Sequence, residues 1–284
     1  VFWFMHDMWP LTGGCHHAFD CTKYLEKCID CPLLHRKRDM LFCKFQFEEK
    51  YRIFSKYSNL KIIAPSTWLF HLASTSLLFK NKQLIHIPNL CDINIFKPMG
   101  KGWAKRLFNL SESKKLILFG AATGGMGNIY KGWEYLQKAI LHLSTSSYEA
   151  VIFGEYNKTV EKQLPIKCNF IGKLYDEYSL SVLYNAADVF VTPSLADNFP
   201  NTILESLSCG TPVVAFNVGG IPDLIMHKSN GYLAHYKDCE DLKKGIEWCV
   251  SQYSIQEVCR SSIIKKYSPS LIIEKHKKLM YGKI

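Results

Sequence analysis

The sequence predicts an α/β protein with a parallel, doubly wound sheet, and two observations lead to this fold class. The first is a β-α-β unit in which an apolar strand at 189–191 is followed by a polar loop, a helix at 202–209 and a second apolar strand at 213–215. The second is the regular alternation of strands and helices that starts at Leu116. Strands that alternate with helices at these lengths form parallel sheets with right-handed crossovers.

The C-terminal part of the chain contains enough elements for one complete sheet. Apolar segments predict six strands, at 116–119, 150–153, 168–171, 189–191, 213–215 and 231–234. Apolar periodicity and capping residues predict helices at 133–143, 177–187, 202–209, 238–251 and 255–266, and a last helix that opens at Ser268-Pro269. We therefore predict a Rossmann-like, nucleotide-binding type of domain over 99–266 and a separate C-terminal helix over 267–284.

The N-terminal part predicts a smaller set of similar elements. Strands are expected at 1–5, 60–64 and 84–87, and helices at 39–58 and 67–73, the second capped by Ser66. His6 directly follows the first strand. A histidine at a strand end that faces a cleft is well placed to contact a substrate, and a structural histidine beside a neighbouring carbonyl is the alternative. The domain boundary is expected near 98–105.

The chain is basic, with a formal net charge of +10 from 35 basic and 25 acidic residues among 284. This balance suits phosphorylated substrates, anionic membrane surfaces or nucleic acids. The basic residues are dispersed and no nucleic-acid-binding motif occurs, so we expect no nucleic-acid partner. Basic patches at 35–38 and from Arg260 onward predict solvated helix faces or, alternatively, peripheral contact with a membrane. No apolar run approaches the roughly 20 residues that span a bilayer.

Four of the eleven cysteines are grouped in one short stretch, with the spacing C-x5-C-x6-C-x2-C. They are Cys15, Cys21, Cys28 and Cys31. Four thiolates can hold a zinc ion tetrahedrally, at about 2.3 Å, and so fix a loop that is too short to form its own core. Two disulfides are the alternative explanation. The other seven cysteines are isolated, mostly in apolar or amphipathic contexts typical of reduced cysteines in a cytosolic protein.

Two acids frame the helix predicted at 202–209. Asp197 lies in the preceding loop and Glu205 on the helix, and they are followed by Cys-Gly-Thr-Pro-Val-Val at 209–214 and Gly-Gly-Ile-Pro-Asp at 219–223. Ligands of β-α-β units sit beyond the carboxyl ends of the strands, where helix N-termini attract phosphates. This arrangement resembles the E-x7-E region of retaining glycosyltransferases of family 4. The resemblance implies a GT-B fold of two Rossmann-like domains, of which the N-terminal one, 1–98, is incomplete.

The resemblance also implies roles for individual residues. Glu205 is expected to bind the ribose hydroxyls of a nucleoside-diphosphate sugar, and Asp197, which is one methylene shorter than the usual Glu, to lie against the donor sugar. Together with His6 and Lys131, Asp197 forms the expected catalytic set. Backbone N–H groups at the start of the helix are expected to face the diphosphate. The expected nucleotide-sugar-binding residues are Gly124, Gly125, Lys131, Asn198, Phe199, Asn201, Thr202 and Glu205.

The loop after the strand at 116–119 is rich in glycine and ends in Lys131-Gly132. Glycines let the backbone approach phosphate oxygens closely, and the lysine adds a mobile positive charge. The family often has an Arg shortly after this strand and a Lys in a Lys-Gly pair, both on the diphosphate. Lys131-Gly132 matches the second feature, whereas Ala121 or Ala122 stands where the Arg is expected.

The implied function is a hexosyltransferase-type glycosyltransferase (EC 2.4). It would move a sugar from a nucleoside-diphosphate sugar to a glycan or lipid-linked acceptor with retention of anomeric configuration, and with no cofactor for catalysis. The implied setting is bacterial surface-polysaccharide biosynthesis in the cytoplasm, at the cytoplasmic face of the inner membrane. Two alternatives are an inactive nucleotide-sugar-binding remnant and a GT-B sugar-nucleotide epimerase.

Overall fold

The structure is a computed structural model that describes residues 1–121, 128–155 and 164–282. The chain divides into two compact units. Unit 1 contains Val1–Asn89 together with Ala196–Phe199, and unit 2 contains Leu90–Leu195 together with Pro200–Ile284. The division therefore falls at the end of residue 89, earlier than the boundary expected near 98–105.

Hydrogen bonds to helices of unit 2 explain where that unit begins. The Arg260 guanidinium donates to the Phe96 carbonyl oxygen. The Asn185 side chain accepts from Met99 N at 2.6 Å and donates to the Lys97 carbonyl oxygen at 3.0 Å. These partners are more than 80 positions apart in the sequence. Local sequence patterns do not show such contacts, so they could not place the boundary.

Unit 1 is built on a three-stranded parallel sheet of order β1-β2-β3. The strands are β1 (Phe2–Phe4), β2 (Lys61–Ala64) and β3 (Gln83–His86). The helices are α1 (Lys37–Lys56) and α2 (Thr67–Thr75), and the Ser66 hydroxyl caps α2 as predicted by accepting from Leu69 N at 3.0 Å. The core contains the fully buried side chains of Met5, Leu11, Phe47, Ile62, Leu69 and Phe79.

Unit 2 is built on a six-stranded parallel sheet of order β6-β5-β4-β7-β8-β9. The strands are β4 (Lys115–Ala121), β5 (Tyr148–Gly154), β6 (Cys168–Gly172), β7 (Val189–Thr192), β8 (Val213–Phe216) and β9 (Gly231–Ala234). This is the doubly wound order of Rossmann-like folds, in which the chain changes direction in the sheet between the first and fourth strands. The switch point of unit 2 therefore lies between β4 and β7.

The helices of unit 2 cover this sheet. They are α3 (Lys101–Leu107), α4 (Trp133–Ile140), α5 (Glu177–Ala186), α6 (Asn201–Ser208), α7 (Cys239–Ser251), α8 (Ile255–Tyr267) and α9 (Pro269–Met280). Aspartates cap two of them: Asp176 accepts from Ser179 N at 2.7 Å, and Asp238 accepts from Asp241 N at 3.0 Å. Helices α4 and α7 pack against each other and share a core with the strands.

The predicted α/β class, with parallel sheets and Rossmann-like units, is confirmed. Helix α3 was not predicted, because its seven residues show no apolar period and only Ala104 and Lys105 are buried. Helix α9 is grouped with unit 2, and its role as a crossover helix over 267–284 stays a prediction. Within the described ranges, no helix combines the length and the apolar composition needed to cross a membrane.

Candidate functional site

The switch point of the unit 2 sheet is where a ligand site is expected. In open α/β sheets, ligands bind in the crevice outside the carboxyl ends of the strands where the strand order reverses. Two loops meet at this point, one from β4 to α4 and one from β7 to α6, because β4 and β7 are hydrogen-bonded neighbours. The predicted site residues of unit 2 all belong to these two loops or to α6.

The loop from β4 to α4 carries Lys131, and it is packed directly against the loop that follows β7. Leu195 N donates a hydrogen bond to the Tyr130 carbonyl oxygen at 2.8 Å. Gly132 has a φ of +61°, and a Cβ atom at this position would lie 2.0 Å from the Pro193 carbonyl oxygen. Only glycine fits there. In the Lys131-Gly132 pair, the glycine thus allows the two loops to lie in close contact, and this contact holds Lys131 at the switch point.

Two predicted binding residues of the same loop, Gly124 and Gly125, lie outside the described residues. So does Ala122, one of the two positions at which the resemblance expects an arginine. The other, Ala121, is the last residue of β4. The contribution of this glycine-rich segment to phosphate binding stays a prediction.

Helix α6 starts beside these loops and has an N-terminus suited to an anion. Pro200 occupies the N-cap with φ −68°, and Asn201 and Thr202 form the first turn. In this fully described helix, the first turn carries no acidic residue and no side chain caps it. A helix N-terminus bears partial positive charge and directs its N–H groups outward, which favours phosphate groups. Asn201 and Thr202 thus lie at the start of α6, and their contact with a diphosphate stays a prediction.

Glu205 lies in the second turn of α6 and is partly buried. Its Oε2 accepts a hydrogen bond from the Tyr184 hydroxyl at 3.0 Å. Burial raises the pKa of Glu205 to about 7, the hydrogen bond from Tyr184 acts in the opposite direction, and the nearby carboxylate of Glu177 raises it further. At neutral pH this carboxyl is therefore near its midpoint. A hydroxyl-bearing ligand that donates hydrogen bonds to it would favour the ionised form.

Tyr184 is the hydrogen-bond partner of Glu205 that the sequence did not identify. The sequence pattern places it on the apolar face of α5, and the side chain is indeed fully buried. Burial, followed by the charge of Glu205, raises the pKa of its hydroxyl well above the usual value. A buried tyrosine hydroxyl needs a hydrogen-bond partner. A tyrosine on the apolar face of α5 therefore indicated that a polar side chain lies nearby.

Unit 1 holds a second group of predicted residues, around the end of β1. His6 is exposed and stacks on Phe4, with ring centroids 5.2 Å apart. The Asn198 side chain donates to the His6 carbonyl oxygen at 3.0 Å and accepts from the Ser66 hydroxyl at 2.6 Å. Asn198 is only 3% exposed. Its amide therefore positions the backbone at His6 and the start of α2, and direct contact of Asn198 with a sugar stays a prediction.

Asp197 and Phe199 flank Asn198 within the segment grouped with unit 1. Phe199 is buried. The predicted residues thus form two groups: His6, Asp197, Asn198 and Phe199 in unit 1, and Lys131, Asn201, Thr202 and Glu205 in unit 2. Their individual ligand contacts remain predictions.

The four grouped cysteines are brought together in unit 1. Cys15, Cys21, Cys28 and Cys31 line one small cavity of about 20 Å³. All eleven cysteines are free in this structure. Among the described residues, no three His, Cys, Asp or Glu side chains are arranged as a ready metal site. The zinc site therefore stays a prediction.

Comparison with known proteins relates unit 2 to glycosyltransferases. Residues 117–252, just under half of the chain, match the sequence model for the family described as glycosyl transferases group 1. This range covers nearly all of the six-stranded sheet, together with Lys131 and Glu205. The structural neighbours of the whole chain are glycosyltransferases of the GT-B fold.

Individual relatives agree with this class. An uncharacterized glycosyltransferase of Methanocaldococcus jannaschii is 30% identical over 176 residues, which cover 58% of this chain and 44% of the relative. A sulfoquinovosyl transferase of Arabidopsis thaliana is 33% identical over 140 residues, covering 48% of this chain and 26% of the relative. The chain spans less than half the length of these curated relatives. The matches do not favour the epimerase or the inactive remnant.

Two solved structures illustrate the likeness in fold. A sucrose-phosphate synthase from Thermosynechococcus elongatus superposes with a TM-score of 0.71 at 20% identity, covering 92% of this chain and 66% of that one. The Anabaena protein HepE in complex with UDP-glucose superposes with a TM-score of 0.65 at 19% identity, covering 78% and 64%. At these identities the likeness establishes the fold.

Proposed function

We propose that this chain is the core of a glycosyltransferase that takes its sugar from a nucleoside-diphosphate sugar. The observation that carries the proposal is the partly buried Glu205, held by Tyr184 at 3.0 Å on the helix that starts at the switch point. An acid in this environment needs hydroxyl donors to be stable in its ionised form. The ribose of a nucleotide supplies two adjacent hydroxyls, and the diphosphate supplies the anion that the N-terminus of α6 favours.

The residues of unit 2 then divide the donor between them. Glu205 binds the ribose hydroxyls. Lys131 and the first turn of α6 bind the diphosphate and stabilise the negative charge that develops on it as the glycosidic bond breaks. Preorganised charge stabilisation of this kind is usually the largest single contribution to catalysis. The residues of unit 1, His6 and Asp197, are assigned to the donor sugar by the family resemblance.

The finer features of the reaction rest on the resemblance. The anomeric carbon loses its bond to the diphosphate oxygen and gains one to the acceptor oxygen on the same face, so the configuration is retained. The leaving phosphate takes the proton of the acceptor hydroxyl, and no metal takes part. We further propose a glycan or lipid-linked acceptor and a role in surface-polysaccharide assembly on the cytoplasmic side of a membrane. UDP is the first donor nucleotide to test, because HepE is a neighbour bound to UDP-glucose.

Calorimetric titration of the chain with UDP, GDP and ADP tests the proposal. One nucleoside diphosphate should bind at a single site, and Glu205→Ala should weaken it by about 10- to 150-fold, since a hydrogen bond to a charged group contributes about 1.5–3 kcal/mol. Glu274→Ala, an exposed acid on α9, is the matched control and should leave affinity unchanged. Absence of binding by all three nucleotides, or equal binding by Glu205→Ala, would contradict the proposal.

A further inference from the structure

The part of unit 1 that runs from the end of β1 into α1 contains an unusual concentration of thiols. Five cysteines line the same cavity: Cys15, Cys21, Cys28, Cys31 and Cys43. Four of them lie on the irregular loop at 15–31, and Cys43 belongs to α1. The five thiols are soft ligands that line one small space.

The geometry of the C-x2-C pair adds an independent observation. Gly13 N donates a hydrogen bond to the Cys28 Sγ at 3.1 Å. Cys28 and Asp30 both have a φ of +51°, a left-handed conformation that costs energy for residues other than glycine. The hydrogen bond from Gly13 fixes the position of the Cys28 sulfur, and two strained residues around a C-x2-C pair persist only when their surroundings hold them in place.

Glycine at position 13 is needed to bring this corner of the loop against α1. A Cβ atom on Gly13 would lie 2.4 Å from the Cys43 carbonyl oxygen and 3.1 Å from the Cys28 Cβ. Gly13 therefore lies directly against α1, beside Cys28. The same loop offers few apolar anchors, since in this fully described stretch only Ala18, Tyr24 and Cys31 are buried between 14 and 36.

We propose that Cys15, Cys21, Cys28 and Cys31 bind one zinc ion as a tetrahedral, purely structural site that fixes the loop of unit 1 against α1. Zinc takes four thiolates in closed structural sites, and its affinity replaces the core that a short loop lacks. The four loop cysteines are the ligands because no helix or strand fixes their backbone, so their side chains can converge on the ion. Cys43 is held on α1 and remains a wall of the cavity. The proposal is independent of the sugar-transfer reaction.

The zinc site would act on the candidate residues nearby through the loop. The Lys50 ammonium on α1 donates to the carbonyl oxygens of Trp9, at 2.6 Å, and Thr12, at 2.9 Å. It also lies 3.5 Å from the centre of the Trp9 ring. These contacts tie α1 to the chain between His6 and Cys15. Loss of the metal should therefore loosen the segment that follows His6 while leaving unit 2 folded.

The experiment measures the metal content of the full chain purified under reducing conditions. We expect one zinc per chain by mass spectrometry of the native protein, and its loss in Cys28→Ser and Cys31→Ser. Cys43→Ser, from the same cavity, and Cys168→Ser, from unit 2, are the matched controls and should both keep the ion. Zinc-free wild-type protein, or a wild type in which the four thiols are oxidised to two disulfides, would overturn the proposal.

A second measurement covers the case in which the serine variants fail to fold. Zinc is removed from the wild-type chain with a chelator, and cobalt(II) is added as a spectroscopic probe. We expect the visible absorption of a tetrahedral tetrathiolate, and protection of Lys23 and Lys27 from trypsin only when zinc or cobalt is bound. A spectrum without thiolate bands, or metal loss in Cys43→Ser with retention in Cys21→Ser, would show that the assigned ligands are wrong.

Discussion

The ionisation of Glu205 predicts a specific pH dependence of stability for unit 2. Its pKa is about 7 in the folded chain against an ordinary value of 4.5, mainly because the carboxyl is buried. The folded state therefore binds more protons than the unfolded state between these two values. The contribution of this group to the unfolding free energy is fully present below pH 4.5. It falls as the pH rises through about 7, and above that pH it is lost.

The magnitude follows from the size of the shift. The rise from 4.5 to about 7, at about 1.4 kcal/mol per pH unit, corresponds to about 3 kcal/mol of unfolding free energy. Glu205→Gln removes the titration and replaces the carboxyl with a neutral group of the same shape. We therefore expect the unfolding free energy of the variant to gain about 3 kcal/mol relative to wild type between pH 4.5 and pH 8.

Urea unfolding at several pH values, followed for the transition of unit 2, measures this difference. Subtracting the unfolding free energy of wild type from that of the variant at each pH cancels the contributions of the other titrating groups. The amide itself can add a difference that does not change with pH, so only the change of the difference with pH is compared. Tyr184→Phe supplies a second arm, because losing the hydroxyl donor should move the titration of Glu205 to higher pH. Curves for wild type and Glu205→Gln that stay parallel from pH 4.5 to 8 would refute the reasoning.

Two further substitutions test the stability of unit 2 and the loop contact beside Lys131. The Asp188 side chain is 9% exposed and pairs with Lys105 Nζ at 3.2 Å. Asp188→Ala should lower the unfolding free energy by about 3–5 kcal/mol, because it leaves the buried Lys105 without this counter-charge; denaturant titration measures the loss. Gly132→Ala should reduce nucleotide binding and lower the melting temperature, because its Cβ would lie 2.0 Å from the Pro193 carbonyl oxygen; calorimetry of binding and of unfolding measures both effects.

Matched controls come from nearby positions in unit 2. Glu112 forms an exposed pair with Arg106, so Glu112→Ala should cost no more than about 1 kcal/mol. A Cβ on Gly100 would have its nearest contact at 3.9 Å, so Gly100→Ala should leave binding and stability nearly unchanged. If Asp188→Ala were as mild as Glu112→Ala, or Gly132→Ala as mild as Gly100→Ala, the proposed supporting roles would be wrong.

Much of the fold was predictable because it depends on local patterns. Short apolar strands followed by amphipathic helices predicted each strand of the described sheets, and the polar residue Ser66 marked a helix start through its capping chemistry. The general type of sheet could also be predicted, since alternating strands and helices favour parallel, doubly wound sheets. Helix α3 and the start of unit 2 were not accessible, because both depend on contacts between residues far apart in the chain.

The loops of the candidate site were predictable, whereas the contacts of its residues were less so. The Lys131-Gly132 pair and the acid on the helix at Glu205 pointed to the two loops that meet in unit 2 through Leu195 N and the Tyr130 carbonyl oxygen. The fully buried partner of Glu205 could not be predicted, because Tyr184 has the same periodicity as its apolar neighbours on α5. The engagement of Asn198 with His6 was also hidden, since the two residues are 192 positions apart.

The central claim, that Glu205 binds the ribose of a nucleotide donor, is tested most directly by a double-mutant cycle. Wild type and Glu205→Ala are titrated at pH 8, where the carboxyl is ionised, with UDP or GDP, whichever binds, and with the 2′,3′-dideoxy form of the same nucleotide. Removing the hydroxyls should weaken binding to wild type at least about tenfold and leave binding to Glu205→Ala unchanged. An equal penalty in both proteins would contradict it.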